Sequence, residues 1–192
     1  MEKYEIVQLE EKYWGEMVAI YKESIDTGII TFQRTVPSYE EWMDSHLKGF
    51  NIILLEDGVV LGFAALTAMN AKYQYRGVAE LSIYVKSGQR GKGIGTKLLN
   101  ELIRLSEEAG IWTLQATILD GNIGSKKLHE KCGFREVGYR EKIAQTIFGV
   151  WKDTFLMERR SNIGLSEVID FNVIKEAEMN NLVSETEVVL EA

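Results

Sequence analysis

A run of glycines between a predicted strand and a predicted amphipathic helix constrains the fold of this chain most. Residues Val85–Leu99 read VKSGQRGKGIGTKLL, with glycine at every second position from Gly91 to Gly95 and basic residues at Arg90 and Lys92. Backbone N–H groups at the start of a helix bind phosphate, and glycines let a phosphate approach the backbone closely. The run predicts a phosphate-binding turn, although a glycine-rich connection without a ligand fits the same residues.

Two familiar nucleotide-binding motifs do not fit this run. A P-loop needs a lysine directly after the second glycine of its spacing, but Ile94 follows Gly93. A dinucleotide-binding fingerprint that begins at Gly91 needs a glycine where Thr96 stands. The match that remains is R-x-x-G-x-G at residues 90–95.

The hydrophobic pattern around this run predicts an α/β domain built on a mixed sheet. The predicted strands are 4–9, 51–55, 59–67, 79–85, 112–119, 134–143 and 146–159, and the predicted helices are 11–23, 39–47, 94–109 and 122–131. A capping box of Ser38 and Glu41 begins the second helix, and Gly58 supplies the turn of an early hairpin.

Composition narrows the possible functions. One cysteine and two histidines argue against an internal disulfide and against a cysteine- or histidine-based metal site. A formal net charge of −7 argues against nucleic-acid binding. The sequence has no apolar run long enough for a membrane span and no apolar signal-peptide core at its start, so we expect a cytoplasmic protein without a membrane partner.

The last thirty residues differ from the rest in charge. Residues 163–192 contain seven acidic residues and one lysine. We therefore predict one domain over residues 1–160 and an acidic extension over 161–192. The composition leaves open whether the extension docks as a helix or stays free.

Three further segments accompany the glycine motif. Residues 75–85 read YRGVAELSIYV, residues 122–134 read NIGSKKLHEKCGF, and residues 151–153 read WKD. In order and spacing, these segments resemble the GNAT superfamily of N-acetyltransferases, and within it the phosphinothricin acetyltransferase branch. The resemblance spans roughly residues 4–160. His129 stands where many superfamily members carry tyrosine, although histidine is common in this branch.

The resemblance implies a GNAT fold, with a central mixed, mostly antiparallel sheet flanked by helices. It implies direct transfer of an acetyl group from acetyl-CoA to the primary amine of a small substrate of the phosphinothricin or methionine sulfoximine type. It also implies a homodimer and no metal. Two alternatives stay open, which are an N-acetyltransferase for proteins or peptides and a non-catalytic acyl-CoA-binding module.

The same resemblance assigns roles to individual residues. Glu80 is the candidate general base, and a solvated strand carboxylate is the simpler alternative. His129 is the candidate proton partner because its reference pKa of about 6.5 lies near neutral pH, and a packed histidine is the alternative. Acetyl-CoA is expected to contact Ile83, Tyr84, Val85, Arg90, Gly91, Lys92, Gly93, Ile94, Gly95, Thr96, Asn122 and Ser125. For the acceptor, the guanidinium of Arg76 suits a substrate carboxylate, and a solvated loop arginine is the alternative. Phe32, Tyr75 and Trp151 are the candidate walls of the acceptor pocket, and core packing is the alternative.

One donor for the developing negative charge is expected from the backbone. The resemblance implies that the strand ending at Val85 splays from its neighbour and that the pantetheine arm inserts there. An unpaired strand N–H near Tyr84 or Val85 then faces the thioester. Asn122 contacts the cofactor arm or secures the splay, and it fits equally well as a helix N-cap.

Overall fold

Seven strands form one sheet in the computed structural model, which describes residues 3–163. The strands are β1 (Glu5–Gln8), β2 (Ile52–Glu56), β3 (Val59–Ala68), β4 (Val78–Val85), β5 (Thr113–Leu119), β6 (Arg135–Gln145) and β7 (Trp151–Arg160). Their order across the sheet is β1-β2-β3-β4-β5-β7-β6. Only β4 and β5 pair in parallel, so the predicted mixed, mostly antiparallel sheet is confirmed.

Helices cover both faces of the sheet. They are α1 (Trp14–Asp26), α2 (Tyr39–Ser45), α3 (Ile94–Glu108) and α4 (Ile123–Lys131), with short 3₁₀ turns at Glu11–Tyr13 and Tyr73–Tyr75. The apolar stripe of α3 packs on one face, where Leu98 and Leu102 are fully buried. Side chains of α1 and α2, including Met17 and Trp42, build a second core on the other face. The flanking helices confirm the predicted α/β class.

Two local predictions are confirmed in detail. The Ser38 hydroxyl accepts a hydrogen bond from the Glu41 N–H, and the Glu41 carboxylate accepts one from the Ser38 N–H, which completes the capping box of α2. Between β2 and β3, Asp57 and Gly58 both have positive φ angles, of 51° and 79°. Two successive residues of this kind form the tight turn that suits the twist of a hairpin.

The last strand begins later than the sequence pattern predicted. The prediction started it at Thr146, but β7 begins at Trp151. Residues 146–149 instead form a turn, in which the Gly149 N–H donates to the Thr146 carbonyl at 2.9 Å and Gly149 has a φ of 75°. The apolar residues Ile147 and Phe148 continue the strand-like pattern through this turn, which explains the error.

All of these elements lie in one compact unit, Met1–Ser161. The predicted acidic extension, 161–192, lies almost entirely outside the described residues, and the predicted boundary at residue 160 stays a prediction. Among the helices described here, none is both long and apolar enough to cross a membrane.

Candidate active site

The parallel pair at the centre of the sheet is short. Val78–Glu80 of β4 pair with Thr113–Gln115 of β5, and Glu80 opposite Gln115 is the last pair in this ladder. Beyond it, β4 continues to Val85 against β3 alone, and β5 continues to Leu119 against β7 alone. The two strands therefore part at Glu80 and leave an opening within the sheet.

The backbone edge of β4 along this opening is set by its pairing with β3. The Lys86 N–H donates to the Leu61 carbonyl, and the Val78 carbonyl accepts from the Met69 N–H. Because these bonds alternate along an antiparallel pair, the even-numbered residues of β4 face β3. Ile83 and Val85 therefore present their N–H and C=O groups to the opening. Of the two residues from which a donor was expected, Val85 faces the opening and Tyr84 faces β3.

The side chain of Tyr84 also points away from the opening. Its ring packs at 4.8 Å from Tyr21 and at 4.9 Å from Phe63, in the core beneath α1. Burial raises the pKa of Tyr84, so its phenol is neutral at physiological pH. Tyr84 therefore does not supply the expected backbone donor.

The glycine run lies at the outer end of β4 and leads into α3. The residue before the helix, Gly93, has a φ of 84°, and no side chain caps the first turn. The N-terminal N–H groups of a helix have no partner within the helix, and they carry the positive end of its dipole. The start of α3 therefore presents donors and partial positive charge for an anion.

A groove of about 470 Å³ runs from the opening past the start of α3 to α4. Of the twelve residues predicted to contact acetyl-CoA, all except Lys92 line it: Ile83, Tyr84, Val85, Arg90, Gly91, Gly93, Ile94, Gly95, Thr96, Asn122 and Ser125. The Lys92 ammonium instead donates to the side chain of Gln89 at 2.8 Å. The structure thus brings two sequence segments, 83–96 and 122–125, to one surface.

The groove also has a wall that was not predicted. It consists of Gly124, Lys127, Leu128 and Lys131 of α4, spaced three, four and seven residues apart on one helix face. This spacing was visible in the sequence. With Arg90, the two lysines give the described lining three cations and no carboxylate.

Helix α4 is held against α3 by a close contact. A methyl group added to Gly95 would lie 2.9 Å from the Leu128 side chain. At the start of α4, the Asn122 side chain accepts from the Ser125 N–H at 3.3 Å. Asn122 is therefore the N-cap of α4 as well as part of the groove.

His129 lies in the core beneath this groove. Its side chain is about 1% exposed, and its Nδ1 lies 2.7 Å from the Ser125 carbonyl oxygen. A carbonyl only accepts, so Nδ1 carries the hydrogen, and Nε2 has no partner among the described residues. Burial lowers the pKa of His129, so the ring is neutral at pH 7. It does not line the groove.

Glu80 lies at the inner end of the opening, on the face of β4 that points away from α3. The side chain is half-buried, and its Oε1 accepts a hydrogen bond of 2.8 Å from the Thr117 hydroxyl. Nothing in the sequence pattern singles out Thr117, because its proximity to Glu80 depends on the pairing of β4 with β5. Chemically, the site combines a carboxylate, an unpaired strand edge and a helix N-terminus.

The predicted acceptor residues lie on separate segments. Phe32 is half-buried in the loop between α1 and α2, and Trp151 is largely exposed at the start of β7. Tyr75 is also exposed, and the Arg76 guanidinium lies 4.2 Å from the centre of the Tyr73 ring. None of these four residues lines the groove.

Comparison with known proteins decides the family. Residues 8–134 match the model of the acetyltransferase (GNAT) family. The chain belongs to the GNAT family. The predicted membership and the predicted GNAT fold are confirmed.

Relatives with described activities cover most of this GNAT chain. The L-methionine sulfoximine/L-methionine sulfone acetyltransferase of Pseudomonas paraeruginosa is 32% identical over 148 residues, which are 74% of this chain and 86% of the relative. The phosphinothricin acetyltransferase of Sinorhizobium meliloti, solved with acetyl-CoA, is 28% identical with a TM-score of 0.74, over 83% of this chain and 89% of that one. The ribosomal-protein-alanine N-acetyltransferase of Brucella melitensis is 31% identical with a TM-score of 0.76, over 82% and 99%.

Proposed function

We propose that this acetyltransferase moves the acetyl group of acetyl-CoA directly to the primary amine of a small amino-acid-like substrate. The observation that carries the proposal is the position of Glu80, a carboxylate at the point where β4 and β5 part. The relative from Pseudomonas paraeruginosa, named for L-methionine sulfoximine and sulfone, supports this substrate class. The Sinorhizobium meliloti enzyme, named for phosphinothricin, supports it as well.

The residues of the groove fit acetyl-CoA. The uncapped start of α3 and the cations Arg90, Lys127 and Lys131 suit its phosphates. The free backbone groups of Ile83 and Val85 suit the amides of an extended arm, because they can bond it as a neighbouring strand would. When bound, acetyl-CoA supplies an activated acetyl group as a thioester.

The chain contributes three actions to the transfer. Glu80 removes a proton from the amine, directly or through a water, because an alkylammonium has no free electron pair for attack. The Val85 N–H is the donor for negative charge that develops on the acetyl oxygen. The groove orients the two substrates toward each other, which lowers the entropic part of the barrier.

His129 acts in this proposal through packing. The hydrogen bond to the Ser125 carbonyl fixes the ring against its own helix, and the edge-on contact with Phe134, at 5.0 Å between ring centres, joins α4 to the start of β6. A neutral ring that is about 1% exposed is poorly placed to exchange a proton with a ligand. Its predicted catalytic role finds no support in this geometry.

For the acceptor, we propose that Arg76 binds the carboxylate of the amino-acid-like substrate, with Phe32, Tyr75 and Trp151 as walls. The Arg76 guanidinium has no carboxylate partner among residues 3–163 and is supported only by the Tyr73 ring. A guanidinium binds a carboxylate through two parallel hydrogen bonds.

We further propose a cytoplasmic homodimer, which the exposed side chains of Phe148 and Val150 support as contact surface.

Release of free CoA thiol from acetyl-CoA tests the function. L-methionine sulfoximine, L-methionine sulfone and phosphinothricin are offered beside a peptide with an N-terminal alanine, and N-acetylated methionine sulfone serves as the blocked control. We expect release with the amino acids and none with the blocked control. Release with the peptide alone would support the alternative of an N-acetyltransferase for proteins or peptides. The similarity to the ribosomal-protein-alanine N-acetyltransferase of Brucella melitensis favours this alternative. CoA binding without release for any amine would support the binding module.

A further inference from the structure

We propose that Thr117 is a positioning residue, whose hydroxyl holds the Glu80 carboxylate in place across the point where β4 and β5 part. The inference rests on the proposed function, because it requires Glu80 to be the base. It adds a residue of β5, 37 positions further along the chain, to the machinery of the reaction.

The hydrogen bond between Thr117 and Glu80 is direct, and only the hydroxyl can donate it. Thr117 Oγ1 lies 2.8 Å from Glu80 Oε1, and an ionised carboxylate only accepts, so the hydroxyl donates. Within the described residues, the Glu80 carboxylate has no ion pair and no second protein donor. The hydroxyl is thus the one described group that restrains it.

The bond between Thr117 and Glu80 lies just beyond the end of the parallel ladder. Glu80 lies opposite Gln115 in the last pair of the parallel ladder, and Thr117 follows two residues later on the same face of β5. At Thr117 the backbone of β5 pairs with Leu156 of β7, and its bonds to β4 have already ended. The side-chain bond therefore links two strands at the place where their backbones separate.

This link has two consequences for the geometry of the base. It occupies Oε1, which leaves Oε2 for the amine or a water. The branched Thr117 side chain has few rotamers with which to move its hydroxyl, so the bond restrains the direction in which Oε2 points.

The test compares Thr117→Val, which keeps the shape but removes the hydroxyl, with Thr117→Ser, which keeps the hydroxyl. For the best acceptor of the amine panel, we expect Thr117→Val to lower kcat on the order of tenfold. KM for the amine and the dissociation constant for CoA should stay unchanged. Thr117→Ser should stay close to the unmodified protein in all three measurements. If Thr117→Val aggregates, Thr117→Ala removes the same hydroxyl and takes its place.

Two outcomes would overturn the inference. Either the variant without the hydroxyl keeps the kcat of the unmodified protein, or Thr117→Ser loses as much kcat as Thr117→Val. Glu80→Gln in the same assay separates this failure from failure of the proposed base. If Glu80→Gln turns over normally, the base is elsewhere and the inference falls with it. If Glu80→Gln is inactive and Thr117→Val is normal, only the inference falls.

Discussion

The proposed donor side and the proposed acceptor side of this site are built in different ways. On the donor side, the end of β4, the glycine run and the start of α3 present backbone groups to one groove, and α4 adds a wall of side chains. On the acceptor side, Phe32, Arg76 and Trp151 lie on separate loops or strand ends, and two of them are exposed. Backbone groups stay the same when a side chain is substituted, whereas exposed side chains on loops can change freely. The first side is therefore suited to a constant donor and the second to a variable acceptor.

We expect the largest loss of activity from a substitution of Glu80, which lies between the donor side and the acceptor side. Glu80→Gln keeps the size and removes the basic carboxylate, so we expect kcat to fall by about 10²- to 10⁴-fold. Binding of CoA, measured by calorimetry, should not change. Glu108→Gln, at the exposed end of α3, is the matched control and should leave both quantities unaltered. A kcat close to that of the unmodified protein would place the base elsewhere.

The next effect should be confined to the acceptor side. Arg76→Ala removes a charge-assisted hydrogen bond to the substrate carboxylate, and we expect KM for L-methionine sulfone to rise by about 10- to 100-fold. The analogous amine without the carboxylate is the control, and its kcat/KM should be the same in both proteins. Equal losses for the two amines would show that Arg76 shapes the loop and does not bind the carboxylate.

A substitution in the glycine run should have a smaller effect, which is confined to the binding of CoA. Gly93 has a φ of 84°, and a residue with a side chain in this region costs about 1–2 kcal/mol. In Gly93→Ala, the free loop relaxes, and restoring the binding conformation should raise the dissociation constant for CoA by about 5- to 30-fold. KM for the amine should change little. Gly15→Ala, in the first turn of α1 with open space around it, controls for a general effect of the added methyl group.

The smallest effect concerns the stability of the donor side. Burial lowers the pKa of His129, so the unfolded chain binds a proton at this residue more readily than the folded protein. This part of the stability is complete above the unfolded pKa of about 6.5 and is lost as pH falls toward the lower folded value. His129→Gln should therefore lose less unfolding free energy than the unmodified protein between pH 7.5 and 5.5 in urea titrations. His46, whose pKa burial also lowers, is present in both proteins and cancels in the comparison.

Two results would contradict the packing role of His129. Parallel stability curves for the two proteins would show that the ring titrates equally in the folded and unfolded states. A fall in kcat as large as that expected for Glu80→Gln would restore the predicted catalytic role. Thermal unfolding of the same samples shows whether such a fall reflects loss of the folded protein.

The same contrast explains how much the sequence could predict. The glycine-rich part of the groove was predictable because backbone geometry leaves a local pattern, which is glycine at positive φ followed by the apolar stripe of a helix. The other predicted groove residues, such as Asn122 and Ser125, came from the resemblance to the GNAT superfamily. The cations on α4, Lys127 and Lys131, follow from helical spacing and could have been found. The direction of the Tyr84 N–H, toward β3, and the burial of His129 both depend on neighbours distant in the chain. Residue type alone could not predict either of them. Thr117 was missed for the same reason.

The short parallel ladder has a consequence for how this protein avoids unwanted association. A strand edge with free N–H and C=O groups usually invites another polypeptide to add to it, and proteins protect such edges at the rim of a sheet. Here the free edge of β4 lies inside the sheet, between two strands that diverge from a shared ladder of three pairs. An approaching sheet would have to bring its own neighbouring strands to this edge, where β5 and its partner β7 already lie, whereas a single extended molecule brings none. The edge thus stays open to a small thioester while it is shielded from amyloid-like pairing with other chains.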